Sequence, residues 1–278
     1  MAVLIPRLFT QLKNRPKPGE DWHPHLGKIG GLTLESWLQN HPRAANPTKT
    51  IIVASEERSG SELFCEMMGQ TGVLGRPSEY FNTPWMRTFV KDYPSEVAEQ
   101  IQIAHRVGVT PNGCFAVKLH SWHFDLISPT LKFSKAFPNP SFVRLTRADL
   151  LSQAISLSRA RQSGQFHGHM PSEKEPIFSI VEIQRCLQEI ITARARWSLY
   201  FARNNAPVVH IVYENFTVNP KHYLTKVGDL VSESLDRNLK LKPRMVVQRD
   251  ERTNEWRERF VKEAGDLGRL DRLDEPPK

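Results

Sequence analysis

The chain changes its patterning abruptly at residue 50, and that change constrains the fold more than any other feature. Thr50-Ile51-Ile52-Val53-Ala54 is apolar and β-branched with no polar alternation, the pattern of a strand buried on both faces of a parallel sheet. A short polar turn containing Gly60 follows. Leu63, Phe64, Met67 and Met68 then recur at helical spacing as far as Gly72, a residue suited to closing a helix. Further strands are predicted at Cys114–Leu119, Ser141–Leu145 and Val208–Tyr213, with helical patterning between them at roughly 95–107, 148–162, 178–203 and 219–231. Strands alternating with helices predict an α/β fold, a parallel central sheet flanked by helices, with any ligand at the carboxyl ends of the strands. Residues 1–46 are rich in Pro, Gly, His and charge around one amphipathic piece at Leu32–Leu38. They read as an extension packed on a body spanning 47–278.

The turn after the first strand, Ser55-Glu56-Glu57-Arg58-Ser59-Gly60-Ser61-Glu62, has the chemistry of an anion site. Small residues at a helix start aim several N–H groups at one point, Gly60 admits close approach, and Arg58 adds a permanent charge. The Gly-x-x-x-x-Gly-Lys spacing of a Walker A loop is absent. An ordinary polar turn is the plain alternative. The formal net charge of +8 agrees with an anionic partner. The basic residues are scattered, however, and no zinc-finger or RNA-binding signature accompanies them, so nucleic acid is not expected. Cys65, Cys114 and Cys186 have no metal-ligand or disulfide spacing and read as buried thiols of a cytoplasmic protein. No run approaches the roughly 20 apolar residues of a membrane span. The opening Ala2-Val3-Leu4-Ile5 is cut short by Pro6 and Arg7, so membrane contact is not expected.

Several separated motifs resemble, in order, the bacterial PAPS-dependent sulfotransferase family typified by trehalose 2-sulfotransferase. (PAPS is 3′-phosphoadenosine-5′-phosphosulfate.) They are Ala54-Ser55-Glu56-Glu57-Arg58-Ser59-Gly60-Ser61, Thr71-Gly72-Val73, Gly75-Arg76-Pro77-Ser78-Glu79-Tyr80-Phe81, Asn112-Gly113 leading into Lys118-Leu119, and Gln248-x-Asp250-x-Arg252-Thr253-Asn254-Glu255-Trp256. The likeness runs over most of residues 49–262. It implies a P-loop-like sulfotransferase fold, sulfuryl transfer from PAPS to a sugar or glycoconjugate hydroxyl, and a homodimer.

The resemblance also assigns roles. Arg58, Ser59, Gly60, Ser61 and Glu62 form the phosphosulfate turn. Glu62 departs from the family, which usually has a hydroxyl residue there; it is expected to point outward and merely suit the positive helix start. Arg147, ending the third strand, and Ser152, on the next helix, match the residues that hold the 3′-phosphate. Arg252 looks like a second such contact, and Tyr213 a neighbour of the adenine or a core tyrosine. Ser156 is expected on a solvated helix face, with Arg159 and Arg161 as surface charge.

Sulfuryl transfer requires a base for the acceptor hydroxyl and positive charge at the leaving phosphate, with no metal. The pairs His23/His25 and His167/His169 are therefore read as solvated loops. Lys118 and Arg58 are the candidates for the positive charge. Two bases compete. Glu79 matches the glutamate base of the family's type member, and His120 stands where eukaryotic cytosolic sulfotransferases place a histidine after a lysine. Glu79 is favoured, with His120 orienting the acceptor. Two other functions fit the same turn: a nucleotide-dependent phosphotransferase, opposed by the missing Walker lysine, and a non-catalytic adenosine-phosphate binding module.

Overall fold

Strand β1, Lys49–Ala54, lies inside a four-stranded sheet. β2 (Cys114–Leu119) and β3 (Pro140–Thr146) flank it, and β4 (Val208–Val212) follows β3 at one edge. Every pairing is parallel, in the order β2-β1-β3-β4. The structure is a computed structural model that describes residues 31–166, 174–242 and 251–273. Ala2–Ile5, the histidines at 23, 25, 167 and 169, Gln248 and Asp250 lie outside the described residues.

The all-apolar strands are explained by what covers them. Ile52, Phe115, Val117 and Phe142 enter one core, while Ile51, Val53, Ala116, Val143 and Ile211 enter the other. Burial of each large side chain in these cores contributes about 1.5–3 kcal/mol. The first core is closed by α1 (Leu34–Asn40) through Trp37, by α3 (Thr83–Arg87), α4 (Val97–Val107) and α6 (Phe133–Ala136), and by Trp197 of α8 (Ile180–Asn204). The second is closed by α2 (Ser61–Gln70), α9 (Tyr213–Val218) and α10 (Pro220–Leu230). Between β2 and α6 lies α5, Ser121–Ile127. A third cluster joins α7 (Leu150–Ser163) and α8 to Trp256 of α11, Glu251–Ala264.

The predicted sheet is therefore present, strand for strand, with β1 starting one residue earlier, β3 longer by one residue at each end and β4 ending one residue sooner. Pairing of β3 with β4 ends at Thr146–Val212, and with no ladder partner beyond it Tyr213 starts α9. The strand order places a switch point between β1 and β3. The chain leaves β1 toward the β2 edge and leaves β3 toward the β4 edge, and the diverging connections open a crevice at the carboxyl ends.

Candidate active site

The turn after β1 is shaped by two left-handed residues, Arg58 (φ 59°) and Gly60 (φ 84°). A side chain at residue 60 would be strained by that φ, and its Cβ would also run into the ring of Tyr213. Below the turn, Glu56 is fully buried and bonded to Arg144 of β3, with Arg194 of α8 3.8 Å away. Burial is the largest influence on Glu56 and raises its pKa, although Arg144 and Arg194 pull against it. Glu56 thus serves as a structural pin. Gln153 Nε2 donates to the Glu57 carbonyl (2.8 Å), holding the turn against α7.

Above this base the turn gathers cations. Arg58 donates through Nε to Ser156 Oγ (2.9 Å) and through Nη1 to the Phe166 carbonyl. Burial, then repulsion from Arg147 and Arg159, pushes the Arg58 pKa down to about 10. Arg147 donates to the Arg58 carbonyl at 3.4 Å and lies 5.9 Å from the centre of the Tyr213 ring. Its Nε is buried 3.8 Å from Glu214, without a hydrogen bond among the described residues. Ser59 is fully buried, and among the described residues its Oγ has no hydrogen-bond partner. Like charges drawn together beside an unpartnered hydroxyl and a helix N-terminus fit a bound anion bearing several oxygens.

Two side-chain expectations are overturned here. Ser156 faces inward to accept from Arg58. Arg159 reaches Thr253 Oγ1 of α11 (2.8 Å), because α11 packs along α7; Arg161 does lie at the surface, paired with Glu189. α11 also separates two arginines five residues apart. Arg252 pairs with Glu175, while Arg257 Nη1 donates to Asp149 Oδ1 (2.6 Å) and Ser152 Oγ (3.1 Å). The structure therefore brings Ser152 together with Arg257.

On the β2 side, Lys118 projects toward α2 from a strand that is buried throughout. Its ammonium meets Glu62 of α2 and Glu79 Oε1 (2.7 Å). The expectation that Glu62 points outward is thus corrected: a buried ammonium needs counter-charge, and Glu62 turns in to supply it. Burial is the chief cause that pushes the Lys118 pKa down to about 7, Glu57 opposing and Arg58 adding to the fall.

Glu79 is set against β2 by the Lys118 N–H, which donates to the Ser78 carbonyl (3.0 Å). Asn82 Nδ2 donates to Glu79 Oε2 at 2.6 Å. His120 Nε2 stands 3.3 Å from Glu79 Oε1, and its Nδ1 is 3.0 Å from the Ser55 carbonyl. A carbonyl only accepts, so Nδ1 carries hydrogen. Burial opposes charge on His120, but Glu79 and Glu57 outweigh it and raise its pKa. Both ring nitrogens of His120 thus face acceptors, the Ser55 carbonyl and the Glu79 carboxylate.

His123 is its counterpart. The His120 N–H donates to His123 Nδ1 (3.0 Å), which leaves hydrogen on Nε2, 3.9 Å from Glu79 Oε2. Burial, then the charges of His120 and Lys118, holds the His123 pKa well below the usual imidazole value. His123, Gln153 and Arg257 were not among the predicted site residues. His123 and Gln153 shared one sign, a polar residue on a buried part of a helix, whereas Arg257 is exposed and had none.

The sequence profile of the family described as Stf0 sulphotransferase matches residues 50–263. The chain belongs to the Stf0 sulphotransferase family. Two curated relatives are similar along most of their length. Trehalose 2-sulfotransferase of Mycolicibacterium smegmatis (strain ATCC 700084 / mc(2)155) is 25% identical over 79% of this chain and 96% of its own. Trehalose 2-sulfotransferase of Mycobacterium tuberculosis (strain ATCC 35801 / TMC 107 / Erdman) is 24% identical over 81% and 98%. Among solved structures, the sulfotransferase domain from the curacin biosynthetic pathway aligns with 74% of this chain and 80% of its own, at 17% identity and a TM-score of 0.47. As a Stf0 sulphotransferase the chain has the P-loop-like fold expected for it. The matched span covers the turn after β1, Glu79, Lys118, His120, Arg147 and all of α11 but its last residue.

Proposed function

We propose that this Stf0 sulphotransferase moves the sulfuryl group of PAPS to a hydroxyl of a carbohydrate-type acceptor, with Glu79 as general base. The observation that carries the reading is the arrangement around Glu79. Its carboxylate lies 2.7 Å from the Lys118 ammonium and 3.3 Å from His120 Nε2, and Arg58, whose charge is felt at Lys118, is held with Arg147 on the turn after β1. An acceptor oxygen held there can lose its proton to Glu79 while the cations face the leaving group.

PAPS supplies an activated sulfuryl group whose departure leaves adenosine 3′,5′-bisphosphate. The turn's backbone, Ser59, Ser61 and Arg58 suit the 5′ side of that molecule. Arg147, Ser152 and Arg257 suit its 3′-phosphate, and Tyr213 borders the adenine. Lys118 balances charge growing on the leaving phosphate. The rival base, His120, is disfavoured because both of its ring nitrogens already face acceptors. Its ring instead orients Glu79 and the acceptor. The sugar acceptor is supported by the trehalose sulfotransferase relatives.

The test is incubation with PAPS and a panel of trehalose, glucose, an alkyl alcohol and a phenol. Mass spectrometry should find adenosine 3′,5′-bisphosphate and a product heavier by one sulfuryl group on a sugar. Release of adenosine 3′,5′-bisphosphate with sulfation only of the alkyl alcohol or phenol would remove the acceptor class. Absence of PAPS binding would remove the donor.

A further inference from the structure

One large aromatic side chain, packed on the His123 ring that faces Glu79, has no part in the sulfuryl-transfer chemistry. Trp122, in the first turn of α5, is 40% exposed. An indole left open to water beside a reaction centre is a candidate contact for a ligand. Its position is fixed from two directions. The Nε1–H donates to Glu57 Oε1 (2.8 Å), and Glu57 is itself part of the turn after β1. Its ring packs on His123 with centroids 3.7 Å apart and the planes tilted by 36°. His123 in turn faces Glu79, and the His120 ring is 6.5 Å from the indole.

The indole is therefore a rigid plate held one ring away from the base. A preset aromatic loses little freedom when a ligand covers it, which is why rigid Trp and Tyr residues dominate contact surfaces. The surrounding chemistry selects the ligand. Trp122 offers its face for apolar contact while its polar edge is already engaged by Glu57. Farther along α5, Leu126 (45% exposed) lies at the i+4 position on the same side, and Asp125, at i+3, is joined to Arg196 of α8. An apolar plate leading to an exposed carboxylate–guanidinium pair matches a pyranose: C–H groups on one face of the ring, hydroxyls around its edge. A phenol would use the plate and leave the ion pair idle, and an acyclic polyol would lack the flat face.

We propose that Trp122 is the acceptor-binding plate of the site. The C–H face of a pyranose stacks on its open side with one hydroxyl directed to Glu79, and Asp125 and Arg196 receive hydroxyls of the ring beyond. This inference rests on the carbohydrate reading above, and its test separates the two. Trp122→Ala, Trp122→Phe and Arg196→Ala are compared with wild type in transfer from PAPS to trehalose and to glucose. Calorimetric binding of adenosine 3′,5′-bisphosphate reports whether each variant is folded.

Trp122→Ala should raise KM for both sugars about tenfold or more, with kcat and the pH profile little changed. Trp122→Phe should recover part of the loss. Arg196→Ala should raise KM for trehalose while sparing glucose, which has no second ring. Saturation-transfer NMR on the complex with adenosine 3′,5′-bisphosphate should show trehalose C–H signals that Trp122→Ala abolishes. Unchanged sugar KM in a Trp122→Ala protein that still binds the bisphosphate would overturn the plate and leave the carbohydrate reading standing. A wild-type enzyme that sulfates the alkyl alcohol or phenol but neither sugar would overturn both.

Discussion

Glu62 and Lys118 meet across the mouth of the turn after β1, a carboxylate from the first turn of α2 against an ammonium buried at the end of β2. A protein anion thus neutralises a cation proposed to face the donor.

Replacing Glu62 with Gln should show this directly. Removal of a negative charge beside the turn should tighten binding of adenosine 3′,5′-bisphosphate about fivefold, the scale of a screened close pair. Lys118 would lose a carboxylate that favours its charged form, so its pKa should fall further below about 7. The alkaline limb of kcat/KM, set by loss of the ammonium as pH rises, should move to lower pH. Calorimetry and a pH–rate profile measure the two effects. Weaker binding would give Glu62 a supporting role toward the donor.

The base is decided by Glu79→Gln and His120→Asn. The glutamine keeps size and polarity but takes no proton, so kcat should fall by about 10²–10⁴-fold while binding of adenosine 3′,5′-bisphosphate survives. His120 would lose its strongest supporting charge in that variant, and its pKa should drop, since burial works against the imidazolium. An NMR titration of the ring reads that shift. His120→Asn should cost less and act mainly on acceptor KM, with the acidic limb of the pH profile retained. Full activity in Glu79→Gln with a dead His120→Asn enzyme would transfer the role to His120.

Recognition of the 3′-phosphate should separate three arginines. Arg147→Ala and Arg257→Ala should each weaken adenosine 3′,5′-bisphosphate by about 10–150-fold, the worth of a lost charge-assisted contact, and adenosine 5′-phosphate much less. Arg252, paired with Glu175, should be replaceable by Ala with little change in either ligand. Calorimetry with both nucleotides tests the set. Equal losses for the two ligands in Arg147→Ala would remove that residue from the 3′-phosphate.

Gly60→Ala is expected to be destabilising for two separable reasons. The left-handed backbone penalises a side chain by about 1–2 kcal/mol, and overpacking against the Tyr213 ring adds about 1–3 kcal/mol. The melting temperature should fall by roughly 5–15 °C. In a Tyr213→Ala background only the backbone penalty remains, so the same substitution should cost less. An equal fall in both backgrounds would acquit the ring.

Much of this architecture was legible in advance because burial dictates periodicity. The four strands are buried or half-buried along most of their length, and the long helices carry apolar faces that repeat at helical spacing. The patterning was silent where few apolar contacts hold an element. In α11, among its described residues, only Trp256 is deeply buried, so its polar sequence concealed a helix. Side-chain direction was harder still. A lysine inside the apolar run Cys114–Leu119 announces a buried cation, yet not which carboxylates will answer it. Both Glu62 and Glu79 do, from different parts of the chain. Arg252 and Arg257 are separated by the seating of α11 on α7, a tertiary fact with no local signature.

The order β2-β1-β3-β4 also bears on how such a protein diversifies. On the proposed reading, most groups for the donor sit beyond β1, β3 and β4, while His120, Trp122 and Asp125 follow β2 and join Glu79 at the acceptor. The two tasks thus draw largely on separate strand ends, joined through the Lys118 ion pairs. The stretch after His120 can then be rebuilt for a new acceptor without disturbing nucleotide recognition, provided Lys118 keeps its carboxylates. Divergence within the family should accordingly concentrate along α5, and the turn after β1 should change last.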